Sequence, residues 1–241
     1  MDLGIAGKAA LVVAASRGLG RATAEALAEE GARVMLSSRS GADLEALATS
    51  LRSTGAEVAT TTADITDPRA PARLVEATLE AFGAVDIVVA NAGGPPAARA
   101  LDVDDAQLEA AINANLLSAV RLTREAVPHM RANRWGRCCY ITSFSVTQAV
   151  PTLALSNTAR NGLWAWAKTA AHDLAQEGSG ITLNLLCPGP HATDRMKELG
   201  GTGPMGSPAE FGRVATFLCS QPAGYVNGAA VVVDGGSTLA L

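Results

Sequence analysis

Apolar positions in this chain fall into short blocks separated by stretches with a helical repeat. Ala9–Ala14, Arg33–Ser37, Glu57–Thr61, Asp86–Ala90, Arg137–Thr142, Ile181–Cys187 and Ala230–Val233 have strand length and strand composition. Gly18–Glu30, Ala42–Thr54, Pro68–Phe82, Asp104–Arg131, Leu153–Gln176 and Pro208–Leu218 fill the gaps with helical periodicity. Parallel strands need long crossovers, and a helix is the usual crossover. The alternation therefore predicts an α/β fold in three layers, with seven parallel strands and helices on both faces. No repeat, linker or low-complexity tract interrupts it, so residues 1–241 read as one domain. Ligands of such sheets sit beyond the carboxyl ends of the strands, which directs attention to the residues after each strand.

Composition narrows the function classes. The chain is 48% hydrophobic and 17% charged, as a compact folded protein should be. A net charge of −4 gives no basic footprint for nucleic acid. The start lacks a charged region followed by an apolar one, and no apolar run reaches membrane-spanning length, so a cytoplasmic protein without a membrane partner is expected. Cys138, Cys139, Cys187 and Cys219 fit no metal spacing, so no metal site is expected and the thiols read as buried. Cys138 and Cys139, adjacent on one strand, should point to opposite faces.

The most informative stretch is Lys8–Thr23, a strand, a small-residue turn and a helix. A helix beginning near Gly18 turns its unpaired N–H groups and positive dipole end toward the turn, and that arrangement suits a pyrophosphate. Gly18 and Gly20 permit close backbone approach. The competing reading is a tight turn with no ligand. After the second strand, Ser37-Ser38-Arg39-Ser40 contains no acid to hold a ribose 2′-hydroxyl. Arg39, joined by Arg17, could instead pair with a 2′-phosphate, which favours NADP(H) over NAD(H). The alternative is that both are solvated surface charges.

Ala14-x-x-x-Gly18-x-Gly20, Ala90-Asn91-Ala92-Gly93, Asn115, Pro188-Gly189 with Thr193, and Val232-Val233-Asp234-Gly235-Gly236 occur in order along the chain. In this the chain resembles the short-chain dehydrogenase/reductase family, and within it the 3-oxoacyl-carrier-protein reductase-like members. Val13 and Ala14 replace the family's Thr-Gly. The resemblance implies a Rossmann-type doubly wound sheet and a homodimer or homotetramer. It also implies a cofactor site built from Ala14, Ser16, Arg17, Gly18, Leu19, Gly20, Ser38, Arg39, Asp64, Ile65, Asn91, Ala92, Gly93, Pro188, Gly189 and Thr193. Asp64 would contact the adenine, and the Pro188 turn would hold the nicotinamide.

The resemblance also exposes a departure. Ser143 matches the family's catalytic serine and Asn115 its helix asparagine. Thirteen residues after Ser143 the family has Tyr-x-x-x-Lys, where this chain has Ser156-Asn157-Thr158-Ala159-Arg160. A phenol titrates near 10 and a nearby ammonium lowers it; a serine hydroxyl is a far weaker acid and needs a separate base. Arg160 keeps the charge but does not release a proton as lysine can. Tyr140, three residues before Ser143 on a strand, should face the other way, and Tyr225 is remote. His191 has the right chemistry for proton transfer and follows the Pro188 turn; the alternative is a partly exposed loop residue. The expected catalytic set is Asn115, Ser143, Ser156, Arg160 and His191. The substrate loop near residues 190–206 leaves room for one short helix, which suits a bulky or carrier-bound substrate as well as a small molecule. Three functions fit: an oxidoreductase with an altered centre; a non-redox dehydratase, isomerase or cyclase; and a non-catalytic nucleotide-binding protein.

Overall fold

The computed structural model describes residues 1–239. Its strands are β1 (Ala9–Val13), β2 (Arg33–Ser38), β3 (Val58–Thr62), β4 (Ile87–Ala90), β5 (Gly136–Ile141), β6 (Ile181–Pro188) and β7 (Ala230–Val233). They form one sheet in the order β3-β2-β1-β4-β5-β6-β7, and every pairing is parallel. The order reverses between β1 and β4, and the crevice at that switch point is where ligands of doubly wound folds bind. The helices are α1 (Gly18–Glu29), α2 (Gly41–Arg52), α3 (Ala70–Phe82), α4 (Asp105–Ile112), α5 (Ser118–Asn133), α6 (Ala154–Gln176), α7 (Asp194–Glu198) and α8 (Pro208–Leu218).

Alternation along each strand builds two cores. Ala9, Leu11 and Val13 of β1 pack with Cys138 and Tyr140 of β5 against α3, α5 and α6. Ala10 and Val12 pack with Cys139 and Ile141 against α1, α2 and α8. This is the three-layer, seven-stranded parallel architecture that the pattern predicts. Each fully buried leucine or isoleucine in these layers contributes about 1.5–3 kcal/mol. All four cysteines are free and buried, with Cys138 and Cys139 on opposite faces. Burial pushes the Cys138 thiol up to about 12 and that of Cys187 up to about 11, so both stay protonated at neutral pH. Among the described residues no helix is long and apolar enough to cross a membrane.

Local chemistry sets the element ends. Asp104 accepts from the Gln107 N–H while the Gln107 side chain accepts from the Asp104 N–H, a reciprocal cap that starts α4. Arg137 is buried on β5 because it donates to the carbonyls of Gly136, Gly180 and Ser220 and its guanidinium lies over Trp135. Two sequence expectations need correction. β1 stops at Val13 because Ala14 turns into the left-handed region, φ 51°. The helix expected over Asp104–Arg131 is three segments: α4, a π-helical turn over Asn113–Leu117, and α5.

Candidate active site

Two cavity lobes, about 420 Å³ and 760 Å³, open at the carboxyl ends of the strands and share Ala14, Arg17, Arg39 and the segment Ala92–Pro95. The β1–α1 turn forms their floor. No side chain caps the start of α1 and its first turn carries no acid, which leaves its N–H groups free, and Arg17, Gly18 and Leu19 at that end line the cleft. Gly18 adopts φ +60°. Gly20 sits behind the turn: a Cβ there would lie 2.5 Å from the Ala14 carbonyl oxygen and 2.6 Å from Asn91 Nδ2. Asn91, at the end of β4, donates through Nδ2 to that same carbonyl at 3.4 Å, tying the two loops together. Thr193, after β6, lies across from Gly18, with its methyl 3.8 Å from where a Gly18 Cβ would be.

Ala14 holds a backbone conformation that glycine tolerates better, costing about 1–2 kcal/mol, partly offset by the smaller unfolded-state entropy of alanine, roughly 0.5–1 kcal/mol. Ala14→Gly is therefore expected to stabilise the fold by about 0.5–1 kcal/mol, read as a rise in denaturation midpoint at unchanged slope.

The larger lobe runs past Ser16, Ser38, Asp64, Ile65 and Asn115. Buried Ser38 is tied into its own turn, accepting from the Ser40 N–H at 3.2 Å. Arg39 is exposed on the rim. Asp64 accepts from the Thr66 N–H at 2.9 Å and the Thr66 hydroxyl at 2.7 Å, and these bonds, with a smaller contribution from the Arg39 charge, hold its carboxyl below the usual range.

The smaller lobe is lined by Ser143, Ser156, Arg160, Pro188, Gly189 and His191. Ser143 follows β5, is buried, and accepts from the Ser145 N–H at 3.1 Å, which leaves its own O–H free to donate. Ser156 and Arg160 stand one turn apart on α6 and so share a face. Ser156 is a buried residue whose hydroxyl makes no hydrogen bond among the described residues and lines the lobe. Arg160 donates to the Thr142 carbonyl through Nη1 and to Asn115 Oδ1 through Nη2 at 3.4 Å. The π turn brings Asn115 inward, and its Nδ2 donates to the Ala111 carbonyl at 3.3 Å. Burial, reinforced by the like charge of Arg195, lowers the Arg160 guanidinium to about 10, so it remains charged at neutral pH.

The cleft thus gathers every sequence-expected site residue except Gly20, which supports the turn from behind. His191 is not the partly exposed loop residue considered above. It is buried, its Nδ1 lies 3.0 Å from the Gly189 carbonyl oxygen, and its ring meets Phe211 edge-on at 5.2 Å. Gly189 itself packs on Asp234, where a Cβ would come within 2.4 Å. Tyr140 lies in the core with its hydroxyl 2.8 Å from Thr123 Oγ1, and Tyr225 is fully exposed; neither lines the cleft. Among the lining residues that the sequence reading did not single out is Arg195 on α7, which donates to the Pro95 carbonyl at 2.7 Å and so spans from the β6 loop to the β4 loop. A lone arginine in a Gly-rich loop gave no sequence signal.

A family profile described as Enoyl-(Acyl carrier protein) reductase matches residues 13–238. The chain belongs to the short-chain dehydrogenase/reductase family. Curated members similar to it include dehydrogenase/reductase SDR family member 4 of Bos taurus, 30% identical over 95% of this chain and 87% of that protein. The 3-oxoacyl-(acyl-carrier-protein) reductase FabG of Escherichia coli is 32% identical over 95% and 97%. Among solved members, L-sorbose reductase from Gluconobacter frateurii, complexed with NADPH and L-sorbose, superposes with a TM-score of 0.91 at 30% identity and full coverage of both chains. A 7α-hydroxysteroid dehydrogenase complexed with NADH gives 0.91 at 26% identity, covering 98% of this chain and 96% of its own. This short-chain dehydrogenase/reductase is thus of oxidoreductase type; of the two solved members, one is complexed with NADPH and the other with NADH.

Proposed function

We propose that this chain is an NADP(H)-dependent oxidoreductase for a carbonyl or hydroxyl substrate, working with Ser156 and Arg160 where its family has tyrosine and lysine. The observation that carries this is the shared cleft: an uncapped glycine turn at α1 and the free hydroxyls of Ser143 and Ser156 open into the same space. The residues present fit a dinucleotide. The α1 turn offers backbone N–H groups to a pyrophosphate, and the Gly20 position leaves no room for a side chain that would close it. Asp64 and Ile65 suit the adenine. Arg39 and Arg17 suit a 2′-phosphate, in agreement with the NADPH bound by the sorbose reductase.

The dinucleotide, when bound, supplies or accepts the hydride. Ser143 donates a hydrogen bond to the reacting oxygen. Ser156 passes a proton through water, because its hydroxyl is too short and too weak an acid to act alone. Arg160 fixes the ribose or an anionic group of the substrate, and Asn115 orients Arg160. We assign His191 a positioning role: it holds the Pro188–Gly189 turn against Phe211. Residues 190–206 form the substrate loop, and the reactant is a small molecule or an acyl group on a carrier. We infer a homodimer or homotetramer as the assembly.

Calorimetric titration of the full chain with NADPH and NADH tests the reading. NADPH is expected to bind at least tenfold more tightly. An arginine–phosphate bond is worth about 1.5–3 kcal/mol, so Arg39→Ala should weaken NADPH binding roughly 10–150-fold and leave NADH nearly unchanged. No binding of either dinucleotide overturns the assignment.

A further inference from the structure

Arg160 presents an unsolved charge problem. It sits in the wall of the smaller lobe, yet its two hydrogen-bond partners, the Thr142 carbonyl and the Asn115 amide oxygen, are both neutral. Among the described residues no carboxylate pairs with it. Desolvating a guanidinium without a counter-ion is costly, and two bonds leave three of its five N–H donors available. Arg195 lines the same lobe from α7. Two carboxylates also line it, and both are engaged: Asp194 with Lys197 at 3.1 Å, and Glu198 with Arg195 at 3.5 Å. Arg160 and Arg195 line one lobe, so the two cations share one space.

We propose that the substrate carries an oxyanion, a carboxylate or a phosphate, close to its reacting carbon, and that Arg160 and Arg195 bind it together. This rests on the oxidoreductase reading and names the substrate class for it. The dinucleotide's own anionic groups do not account for Arg160. The α1 turn and Arg39 serve those groups; β1, which leads into the α1 turn, lies two strand positions from β5, which delivers Arg160's partner Thr142, and β2, which leads to Arg39, lies three. At about 4.8 Å per strand these separations are roughly 10 and 14 Å. An oxyanion can accept from the free edge of the Arg160 fork while Thr142 and Asn115 hold the other donors, an arrangement lysine does not reproduce. Its neighbouring carbonyl would then lie beside the Ser143 and Ser156 hydroxyls.

The test is calorimetry on the full chain, alone and saturated with NADPH, using malonate and inorganic phosphate as probes and malonamide as the neutral counterpart of malonate. Malonate or phosphate is expected to bind at least tenfold more tightly than malonamide, and the better of the two identifies the oxyanion. Arg160→Gln and Arg195→Gln should each weaken that binding at least tenfold. Arg195→Gln changes a partly exposed residue, so it remains informative if Arg160→Gln fails to fold. Equal binding of malonate and malonamide, or phosphate binding that survives both substitutions because it sits at the α1 turn, overturns the proposal. The NADPH titration on the same samples separates the two readings. Intact NADPH binding without oxyanion selectivity removes only the substrate class. Loss of NADPH binding in the unsubstituted chain removes the oxidoreductase reading.

Discussion

Ser156→Tyr combined with Arg160→Lys is expected to raise the NADPH-dependent rate on a neutral ketone by about 10²–10⁴, the usual gain from a positioned general acid. Ser156 and Arg160 share one face of α6 and both line the smaller lobe, and the Ser156 hydroxyl has no bond to break. A phenol at that position reaches further into the lobe. The ammonium one turn later lowers its titration point from near 10 toward neutrality, where proton transfer to the substrate oxygen becomes efficient. Ser156→Tyr alone should recover part of the gain, because Arg160 also supplies positive charge. Arg160→Lys alone should recover none, because no acid is added. Initial rates on a ketone panel, with NADPH affinity and circular dichroism recorded for each variant, decide the matter. An unchanged rate in a folded, NADPH-binding double variant would mean that α6 does not present these two positions to the reacting atoms.

The parts of this site that could be read from sequence are those set by local pattern. The β1–α1 turn was legible because an apolar run, small residues and a helical repeat succeed one another, and α1 begins at Gly18 as expected. The sheet was legible because parallel strands buried on both faces read as short apolar blocks. What escaped depends on contacts distant in sequence. The π turn at Asn113–Leu117 has no glycine or proline to announce it, and Asn113 is held by Thr66, 47 positions away. His191 became a buried residue because Phe211 and Gly206 close over it from beyond the loop. Arg195 is tied across the cleft to Pro95, 100 positions earlier. Ala14 shows a different limit: its strained φ arises where an alanine occupies a turn position that glycine suits better.

Gly20→Ala is expected to destabilise the fold and disable the cleft together. The added methyl would meet the Ala14 carbonyl oxygen at 2.5 Å and Asn91 Nδ2 at 2.6 Å. Neither can yield freely. The first is backbone in the tight β1–α1 turn, and the second is a short side chain bonded to that same carbonyl. Overpacking of this kind costs about 1–3 kcal/mol, which for a chain of this length lowers Tm by roughly 3–10 °C. To relieve the contact, the first turn of α1 must swing away from β4, and its N–H groups lose their aim at the cleft. NADPH affinity should therefore fall by at least tenfold. Gly93→Ala is the control for stability alone, because a Cβ there meets nothing within 4 Å and the residue has no positive φ. Its Tm should stay within about a degree of the parent. If Gly20→Ala instead lowers Tm while NADPH binding is preserved, the turn supports the sheet without presenting its N–H groups to a ligand. The pyrophosphate would then have to be held by Arg17 and Thr193 rather than by the helix end.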